Sequence, residues 1–247
     1  METKPVIFKT TMIPLANNHI SVDCVVVGFD GSRLRVLLLK RSGQDHAGEF
    51  NDMKLPGSLI YKDEDLDQAA SRVLTELTGV KDLKLTQFKA FGSKNRTSNP
   101  RDVIWLERAQ QAHVDSIVTI AYLAIVKLDQ AMHRATDNDG VQWVPIDEVG
   151  QLAFDHNLII LEALKAMRRE VDNNRTVLFD LLPKKFTASQ LRLLTEIVYN
   201  KTLDVRNFHK KISQMPYVVA LDEREKGVAH RAARFFKFDR KIYNTSR

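Results

Sequence analysis

The chain has almost no cysteine and no long apolar run. One residue of 247 is a cysteine, so an intramolecular disulfide is excluded. Because Cys24 lies inside the apolar run Val22–Val27, we expect a buried thiol rather than a nucleophile. No apolar run approaches the roughly 18 residues of a membrane span, and no N-terminal segment has the basic start and apolar centre of a signal peptide. We therefore expect a cytoplasmic protein that binds no membrane.

Acidic residues are scarce in the C-terminal part of the chain. Residues 175–247 contain 16 Lys and Arg against 7 Asp and Glu, a net charge of +9, whereas residues 1–174 contain 21 against 24, a net charge of −3. The total length favours two domains. We predict a first domain of residues 1–174 and a second of residues 175–247, with an anionic polymer as partner of the second. A basic surface that is only solvated is the alternative.

A further absence is positional: the segment Pro56–Val80 has an informative spacing but lacks two carboxylates of the pattern that it follows. It resembles the Nudix box, which in words is Gly, five residues, Glu, seven residues, then Arg-Glu-apolar-any-Glu-Glu-any-Gly-apolar. Glu64 and Glu76 are the acidic residues of the box that remain. Where the box has its first Gly and two further Glu, this chain has Ser58, Val73 and Leu77.

These losses bear on catalysis. Nudix hydrolysis requires divalent cations, usually magnesium, held by several carboxylates on one helical face. The spacing of apolar residues predicts that Arg72–Leu77 of the box lies on a helix, with Leu66, Ala69, Ala70, Val73, Leu74 and Leu77 on its apolar face. On that helix Glu76 lies one turn from Arg72, so the two can form a surface ion pair. We expect the Nudix fold with no catalytic residue, no bound metal and no cofactor, and therefore not an enzyme.

Alternating apolar segments predict the strands of an α/β/α sandwich around this helix: Ser21–Gly28, Arg35–Leu39, Phe88–Gly92, Ile117–Val126 and Gly140–Val144. Ser42–Met53 is predicted as a polar loop. The segment of residues 101–116 is longer than the connection between strands that is usual in the family. We therefore expect an insertion that borders the ligand pocket or covers a sheet edge. Asp155 is predicted as N-cap of a helix running to about Val171. His156 then faces the pocket, although a lone histidine is more often structural.

The basic segment has the pattern of a helix-turn-helix. Phe186–Leu191 is predicted to begin one helix with Thr187 as N-cap, and Leu203–Gln214 to form a second helix that is rich in donors. Val218–Leu221 and Ala233–Phe238 are predicted as a two-stranded wing. The second helix suits the major groove of DNA, and the wing suits backbone phosphates.

The phrases Phe-Thr-x-Ser-Gln-Leu, Leu-Asp-x-Arg-Asn-Phe-x-Lys-Lys and His-Arg-x-Ala-Arg-Phe-Phe-Lys-Phe-Asp resemble the winged-helix half of the Nudix-related, NrtR-type transcriptional regulators. The resemblance implies a homodimeric bacterial repressor that binds a palindromic operator and senses a metabolite. Family members respond to ADP-ribose or related nucleotides, and one branch responds to L-arabinose. A diphosphate effector would need magnesium or a dense Arg/Lys cluster, whereas a neutral sugar needs neither. The degenerate box and the insertion therefore favour the sugar branch.

Two other classes of function stay open. The first is an active Nudix hydrolase with an accessory nucleic-acid domain, and the second is a protein that binds nucleic acid without sequence preference.

In the preferred interpretation the effector contacts are Lys40, Arg41, Asp52, Lys54, Glu64, Glu76, Asp102 and His156. Arg206 and Asn207 are the expected base readers. Further DNA contacts are Thr187, Ser189, Gln190, His209, Lys210, Lys211, Arg231 and Arg234.

Overall fold

The computed structural model describes residues 16–45, 48–110, 116–227 and 232–245. The strands are β1 (Ala16–Phe29), β2 (Leu34–Asp45), β3 (Gly48–Lys54), β4 (Gly57–Tyr61), β5 (Thr86–Phe91), β6 (Val118–Lys127), β7 (Val141–Pro145), β8 (Phe186–Thr187), β9 (Val218–Arg224) and β10 (Arg234–Phe238). The α-helices are α1 (Leu66–Thr78), α2 (Pro100–Gln110), α3 (Gln130–Ala135), α4 (His156–Asn173), α5 (Thr176–Leu181), α6 (Ala188–Tyr199), α7 (Val205–Ser213) and α8 (Arg240–Thr245). Within these described ranges, no helix is long and apolar enough to cross a membrane.

The first domain is a mixed sheet in the order β3-β2-β1-β6-β5, with β4 also paired to β1 and β7 to β2. Strands β1 and β6 run parallel, while the other pairs are antiparallel. Alternate residues of β1 bury on opposite faces: Cys24 packs towards α1, and Val25 packs towards α4. This alternation produces two apolar layers, and the predicted α/β/α sandwich is confirmed.

Helix α1 contains the part of the box from Arg72 to Leu77, as predicted. Asp65 and Gln68 form a reciprocal capping box at its N-terminus, and Gly79 ends it in the left-handed conformation at φ 76°. Such a φ favours glycine, which has no Cβ to clash. Val73 is fully buried against the sheet, whereas Leu77 is 37% exposed. The apolar face is therefore narrower than the spacing predicted, and it ends before Leu77.

The prediction of a polar loop over Ser42–Met53 is wrong. Strand β2 continues to Asp45 and pairs with β3 in a hairpin whose register sets Arg41 opposite Asp52. Within the segment, Asp52 pairs with Arg41, whereas Phe50 is buried and Met53 packs against the apolar core. Polar composition alone therefore misled the assignment.

The C-terminal domain is a winged helix, as predicted. Helices α6 and α7 pack with a small sheet in the order β8-β10-β9, in which β8 precedes α6 and the strands β9 and β10 follow α7. Thr187 caps α6 through a capping box with Gln190, and Asp204 caps α7. Leu191, Leu194 and Phe208 are buried between the two helices and the sheet.

The two domains are in contact along helix α4. The apolar layer between α4 and the sheet continues through α5 into the core of the winged helix. Near the C-terminal end of α4, Arg168 Nε donates to the Val198 carbonyl oxygen at 2.9 Å. The Tyr199 hydroxyl donates to Asp172 at 2.7 Å. Helix α4 thus joins the pocket side of the first domain to α6.

Candidate effector pocket and nucleic-acid interface

Helix α2, which lies in the segment predicted as an insertion, forms a wall of two adjoining cavities. The inner cavity has a volume of about 30 Å³ and is lined by Ser21, Asp23, Lys54, Gly57, Ser58, Arg96, Thr97, Trp105, Leu106, Ile117, Phe154 and His156. The outer cavity has a volume of about 370 Å³ and is lined by Arg41, Asp52, Asn95, Arg96, Ser98, Asn99, Arg101, Asp102, Gln151, Leu152, Ala153 and Phe154. Because Arg96 and Phe154 border both, the two form one candidate pocket.

Arg41 is held from two sides in the outer cavity. Its side chain is 1% exposed and pairs with Asp52 through two hydrogen bonds of 2.7 and 2.6 Å. Its Nη1 lies 2.7 Å from Asp102 Oδ1. The rings of Phe50, Trp105 and Phe154 lie 5.2 to 5.5 Å from the guanidinium carbon, which adds cation–π attraction. Burial would lower the pKa of Arg41, but the two carboxylates raise it, so Arg41 stays charged.

Arg96 joins both cavities. Its Nη2 lies 3.1 Å from Asp155 Oδ1 and 3.5 Å from Asp23 Oδ2. Burial alone would raise the pKa of Asp23, but His156 and Arg96 hold it well below its usual range. Gly57 is required beside Asp23, since a Cβ on Gly57 would lie 1.9 Å from Asp23 Oδ1. Asp23 is therefore a buried anion with a fixed position.

His156 carries its proton on one defined nitrogen. The backbone amide of Leu55 donates to His156 Nδ1 at 3.0 Å. A nitrogen that accepts a hydrogen bond has no proton, so the neutral ring carries its proton on Nε2. That nitrogen lies 3.4 Å from Asp23 Oδ1. His156 thus faces the pocket, as predicted, and it also ties α4 to the end of β3.

The predicted N-cap of α4 forms only in part. Asp155 holds the N-cap position, but its carboxylate makes no capping hydrogen bond. It accepts instead from Arg96, because the two side chains meet at the pocket. Phe154 lies in the left-handed region at φ 53°, where bulky residues are strained. Its amide is held by Asp102 at 2.9 Å.

Lys54 is a buried lysine at the end of β3. It is 6% exposed and donates to the carbonyl oxygens of Leu55 at 3.2 Å and Gly57 at 3.0 Å. Its Nζ lies 5.3 Å from the centre of the Trp105 ring. Burial is the main cause that lowers the pKa of Lys54 from 10.5 to about 8.

The box residues form ion pairs and are not placed to bind a metal. Arg72 donates to Glu64 at 2.8 Å through Nε and to Glu76 at 3.1 Å through Nη1. The second Glu64 oxygen also accepts from the Tyr61 amide at 2.7 Å. Val73 lies in the core and Leu77 has no ligand atom. In the part of the chain that the structure describes, no cluster of three or more His, Cys, Asp or Glu could hold a metal ion. The magnesium site implied by the family therefore does not fit these residues.

The structure brings five of the eight expected effector contacts to the pocket: Arg41, Asp52, Lys54, Asp102 and His156. It does not bring Lys40, Glu64 or Glu76 there, because Lys40 is exposed on β2 and the two glutamates are engaged by Arg72. Sequence reasoning missed Asp23, Arg96, Trp105 and Phe154. Asp23 alone had a signal, since a carboxylate inside a run of valines is unusual in a central strand.

The exposed face of α7 is basic. Phe208 and Ile212 are buried and fix the orientation of the helix. The opposite face exposes Arg206, Asn207, His209, Lys210 and Lys211. Among the described residues, no carboxylate lies within ion-pair distance of Arg206, Lys210 or Lys211. These cations can therefore contact an external anion.

Three of the expected phosphate contacts are engaged within the protein. Thr187 is 4% exposed, and its hydroxyl accepts from the Gln190 amide. The Gln190 side chain accepts from the Thr187 amide and lies beside Gly31 of the first domain. Arg234 donates to Asp222 at 3.0 Å and to the Leu221 carbonyl at 2.8 Å. Ser189 is exposed, whereas Arg231 lies outside the described residues.

Comparison with known proteins identifies both halves of the chain. The NUDIX domain model matches residues 17–171. The model of the NrtR DNA-binding winged helix domain matches residues 178–238. The first match covers more than half of the chain.

One curated relative and several solved structures match most of the length of this chain. The chain is 25% identical over 232 residues to the ADPR responsive transcriptional repressor of Acinetobacter baylyi. The alignment covers 91% of this chain and 83% of that protein. The crystal structure of Shewanella oneidensis NrtR with a 27mer DNA matches with a TM-score of 0.60 and 22% identity over 89% of this chain and 93% of that one. A MutT/nudix family protein from Enterococcus faecalis matches with a TM-score of 0.57 and 22% identity over 90% of this chain and 88% of that one. The chain therefore belongs to the Nudix family, and with its C-terminal winged helix DNA-binding domain it is an NrtR-type, Nudix-related transcriptional regulator.

Proposed function

We propose that this protein is a transcriptional repressor that leaves its operator when a small molecule occupies the pocket behind α2. Residues 1–174 sense the effector and residues 175–247 bind double-stranded DNA. The carrying observation is the exposed basic face of α7, whose cations have no carboxylate partner among the described residues. The Acinetobacter baylyi relative, itself a repressor by name, supports the direction of regulation. Because bacterial DNA lies in the cytoplasm, we expect the protein there.

As effector we propose a nucleotide of the ADP-ribose type rather than L-arabinose. The sequence favoured a sugar because the box has lost its metal carboxylates and the pocket border carries a predicted insertion. The fold brings Arg41 and Lys54 to one pocket with Arg96 and Arg101 from a later part of the chain. Arg41 and Arg96 are each matched by carboxylates and shape the pocket, whereas Lys54 has no carboxylate within ion-pair distance among the described residues, so its charge suits a diphosphate without bound magnesium. The relative's name, which describes a response to ADPR, supports the same choice, and no comparison supports arabinose.

We further propose that the pocket binds its effector without hydrolysing it. Two positions of the box where the family carries metal-binding carboxylates hold Val73 and Leu77, and Val73 is buried in the core. Glu64 and Glu76 are engaged by Arg72. No observation favours the alternative of an active hydrolase.

The same proposal includes a homodimer on a palindromic site. One winged helix reads only a few base pairs, so useful specificity requires two copies on a twofold-symmetric operator. Helix α4 is the proposed link, since it begins at His156 in the pocket and reaches α6 through Arg168 and Asp172. An effector that moves the start of α4 changes the spacing of the two reading helices.

The test is a binding cycle with operator DNA selected by this protein from a random pool. ADP-ribose is expected to weaken operator binding, measured by fluorescence anisotropy at constant salt. To reverse occupancy from 99:1 to 1:99, it must favour the released state about ten-thousandfold. Reciprocity requires operator DNA to weaken ADP-ribose binding by the same factor, which calorimetry measures. Equal affinity for ADP-ribose with and without operator would end the release model. L-arabinose is the parallel arm, and release by arabinose alone would reinstate the sugar effector.

A further inference from the structure

The buried cations of the pocket differ in their partners. Arg41 faces Asp52 and Asp102, and Arg96 faces Asp155 and Asp23. Each guanidinium is thus matched by two carboxylates inside the protein. Lys54 differs, because within the described part of the chain its ammonium group has two backbone carbonyl oxygens as its hydrogen-bond partners. Among the described residues, no carboxylate lies within ion-pair distance of Lys54 Nζ.

A buried ammonium group without a carboxylate is costly to keep charged. A lysine has three N–H donors, and the described carbonyls of Leu55 and Gly57 accept two of them. Lys54 also lines the inner cavity, so an anion that enters this cavity reaches the ammonium group. The backbone oxygens hold the head group in place without neutralising it.

We propose that Lys54 anchors a phosphate group of the effector in the inner cavity. This inference rests on the proposed effector role of the pocket, and it names the residue and the chemical group that meet there. The inner cavity, at about 30 Å³, accommodates one small group, whereas the outer cavity, at about 370 Å³, accommodates the body of a larger molecule. Arg96 and Phe154 border both cavities, so one ligand can occupy them together.

The anchor makes binding depend on pH. The charged and titratable groups that face Lys54 are Asp23 and Cys24 from β1, Arg41 from β2, Arg96 from the turn Lys94–Thr97 and His156 from α4. Burial lowers the pKa of Lys54 to about 8, while Asp23 opposes that shift. A bound phosphate stabilises the charged form and raises this pKa. Affinity is therefore full below about pH 8 and is lost as the pH rises above it.

The first experiment uses the unaltered protein. ADP-ribose binding is measured by calorimetry near pH 8 in buffers of different ionisation enthalpy, because its diphosphate does not titrate in this range. Binding should take up about half a proton per ligand near pH 8, and almost none at about pH 6, where Lys54 is already charged. Binding with no proton uptake near pH 8 would overturn the anchor.

The second experiment replaces the ammonium group. Lys54→Met removes the buried charge and keeps the aliphatic stem, and circular dichroism checks the fold. At about pH 7 the variant should bind ADP-ribose about tenfold to hundredfold more weakly, since a hydrogen bond to a charged group is lost. Proton uptake should also disappear. The matched control is Lys81→Met, at an exposed lysine that lines neither cavity, and it should bind as the unaltered protein does. Equal losses in the two variants would contradict the assignment.

Failure of the anchor and failure of the proposed function give different results. If ADP-ribose releases operator DNA but Lys54→Met binds it normally, the repressor model stands and the anchor is wrong. If ADP-ribose does not bind, ribose 5-phosphate and D-ribose are compared by thermal shift. If ribose 5-phosphate stabilises the protein, D-ribose does not, and the effect is lost in Lys54→Met, the role of Lys54 as phosphate anchor stands and ADP-ribose is not the effector. No stabilisation by ribose 5-phosphate, or equal stabilisation by D-ribose, overturns the anchor.

Discussion

The pocket and helix α7 (Val205–Ser213) both contain arginine and lysine side chains, but these side chains have different surroundings in the two places. In the pocket, Arg41 and Arg96 each contact two carboxylates of this chain and are almost fully buried. On α7, Arg206, Lys210 and Lys211 are exposed and have no such partner among the described residues. A cation that is paired with carboxylates of the protein holds those groups in position. A cation without such a partner can bind an external anion. The contrast predicts which substitutions act on folding and which act on binding.

The largest expected effect on stability is that of Arg41→Ala. It leaves the carboxylates of Asp52 and Asp102 without their cation in a buried site. Loss of one partner of a buried pair costs about 3–5 kcal/mol. Urea denaturation should show this loss, together with a looser pocket. Arg33→Ala is the control, since Arg33 pairs with Asp147 and Glu148 on the surface and should change stability little. Equal losses in the two variants would remove the contrast between buried and exposed arginines.

Arg206→Ala is expected to act on DNA recognition and to leave folding unchanged. An arginine that pairs with guanine contributes about 1–3 kcal/mol of base discrimination. The variant should therefore lose its preference for operator over random DNA in anisotropy titrations. Lys211→Ala is the matched variant on the same helix. It should weaken all sequences alike and reduce the salt slope by about one unit. The same profile in both variants would show that the two roles are assigned wrongly.

Thr187→Ala tests the correction at the start of α6. If Thr187 is only the N-cap, its loss should cost about 0.5–2 kcal/mol of stability. Operator affinity of the folded fraction should not change, because the hydroxyl is buried and bonded to the Gln190 amide. Denaturation and DNA titration are measured on the same preparation. If DNA affinity depends less on salt concentration while stability is unchanged, Thr187 contacts a DNA phosphate and the correction is wrong.

The smallest effect is expected for Glu76→Ala in the box. Glu76 is half exposed, and its ion pair with Arg72 spans one helical turn, so it should contribute about 0.5 kcal/mol or less. Glu64→Ala should cost more, because the Glu64 side chain is 12% exposed and accepts from both Arg72 and the Tyr61 amide. Thermal denaturation compares the two. A larger loss of stability for Glu76→Ala than for Glu64→Ala would mean that the box has a role beyond stabilising the junction between the loop and the helix.

The local elements could be predicted because they depend on short-range patterns. The apolar spacing of α1, the cap at Thr187 and the ion pair of Arg72 with Glu76 all involve residues within one or two helical turns. The hairpin over Ser42–Met53 was missed because its polar residues have the composition of a loop. Its strands form through cross-strand pairing such as Arg41 with Asp52. Sequence spacing does not reveal a contact that depends on register.

The sequence by itself determined the two domains, the degenerate box and the basic reading helix. These features depend on the order and spacing of residues along one element. Only the tertiary structure decided the pocket. Asp23, Arg96 and His156 come from separate parts of the chain and meet because β1, the turn before α2 and the start of α4 converge at one end of the sheet. It likewise decided that Lys54, unlike Arg41 and Arg96, has no carboxylate within ion-pair distance among the described residues, since pairing between distant charges is set by packing and not by sequence order.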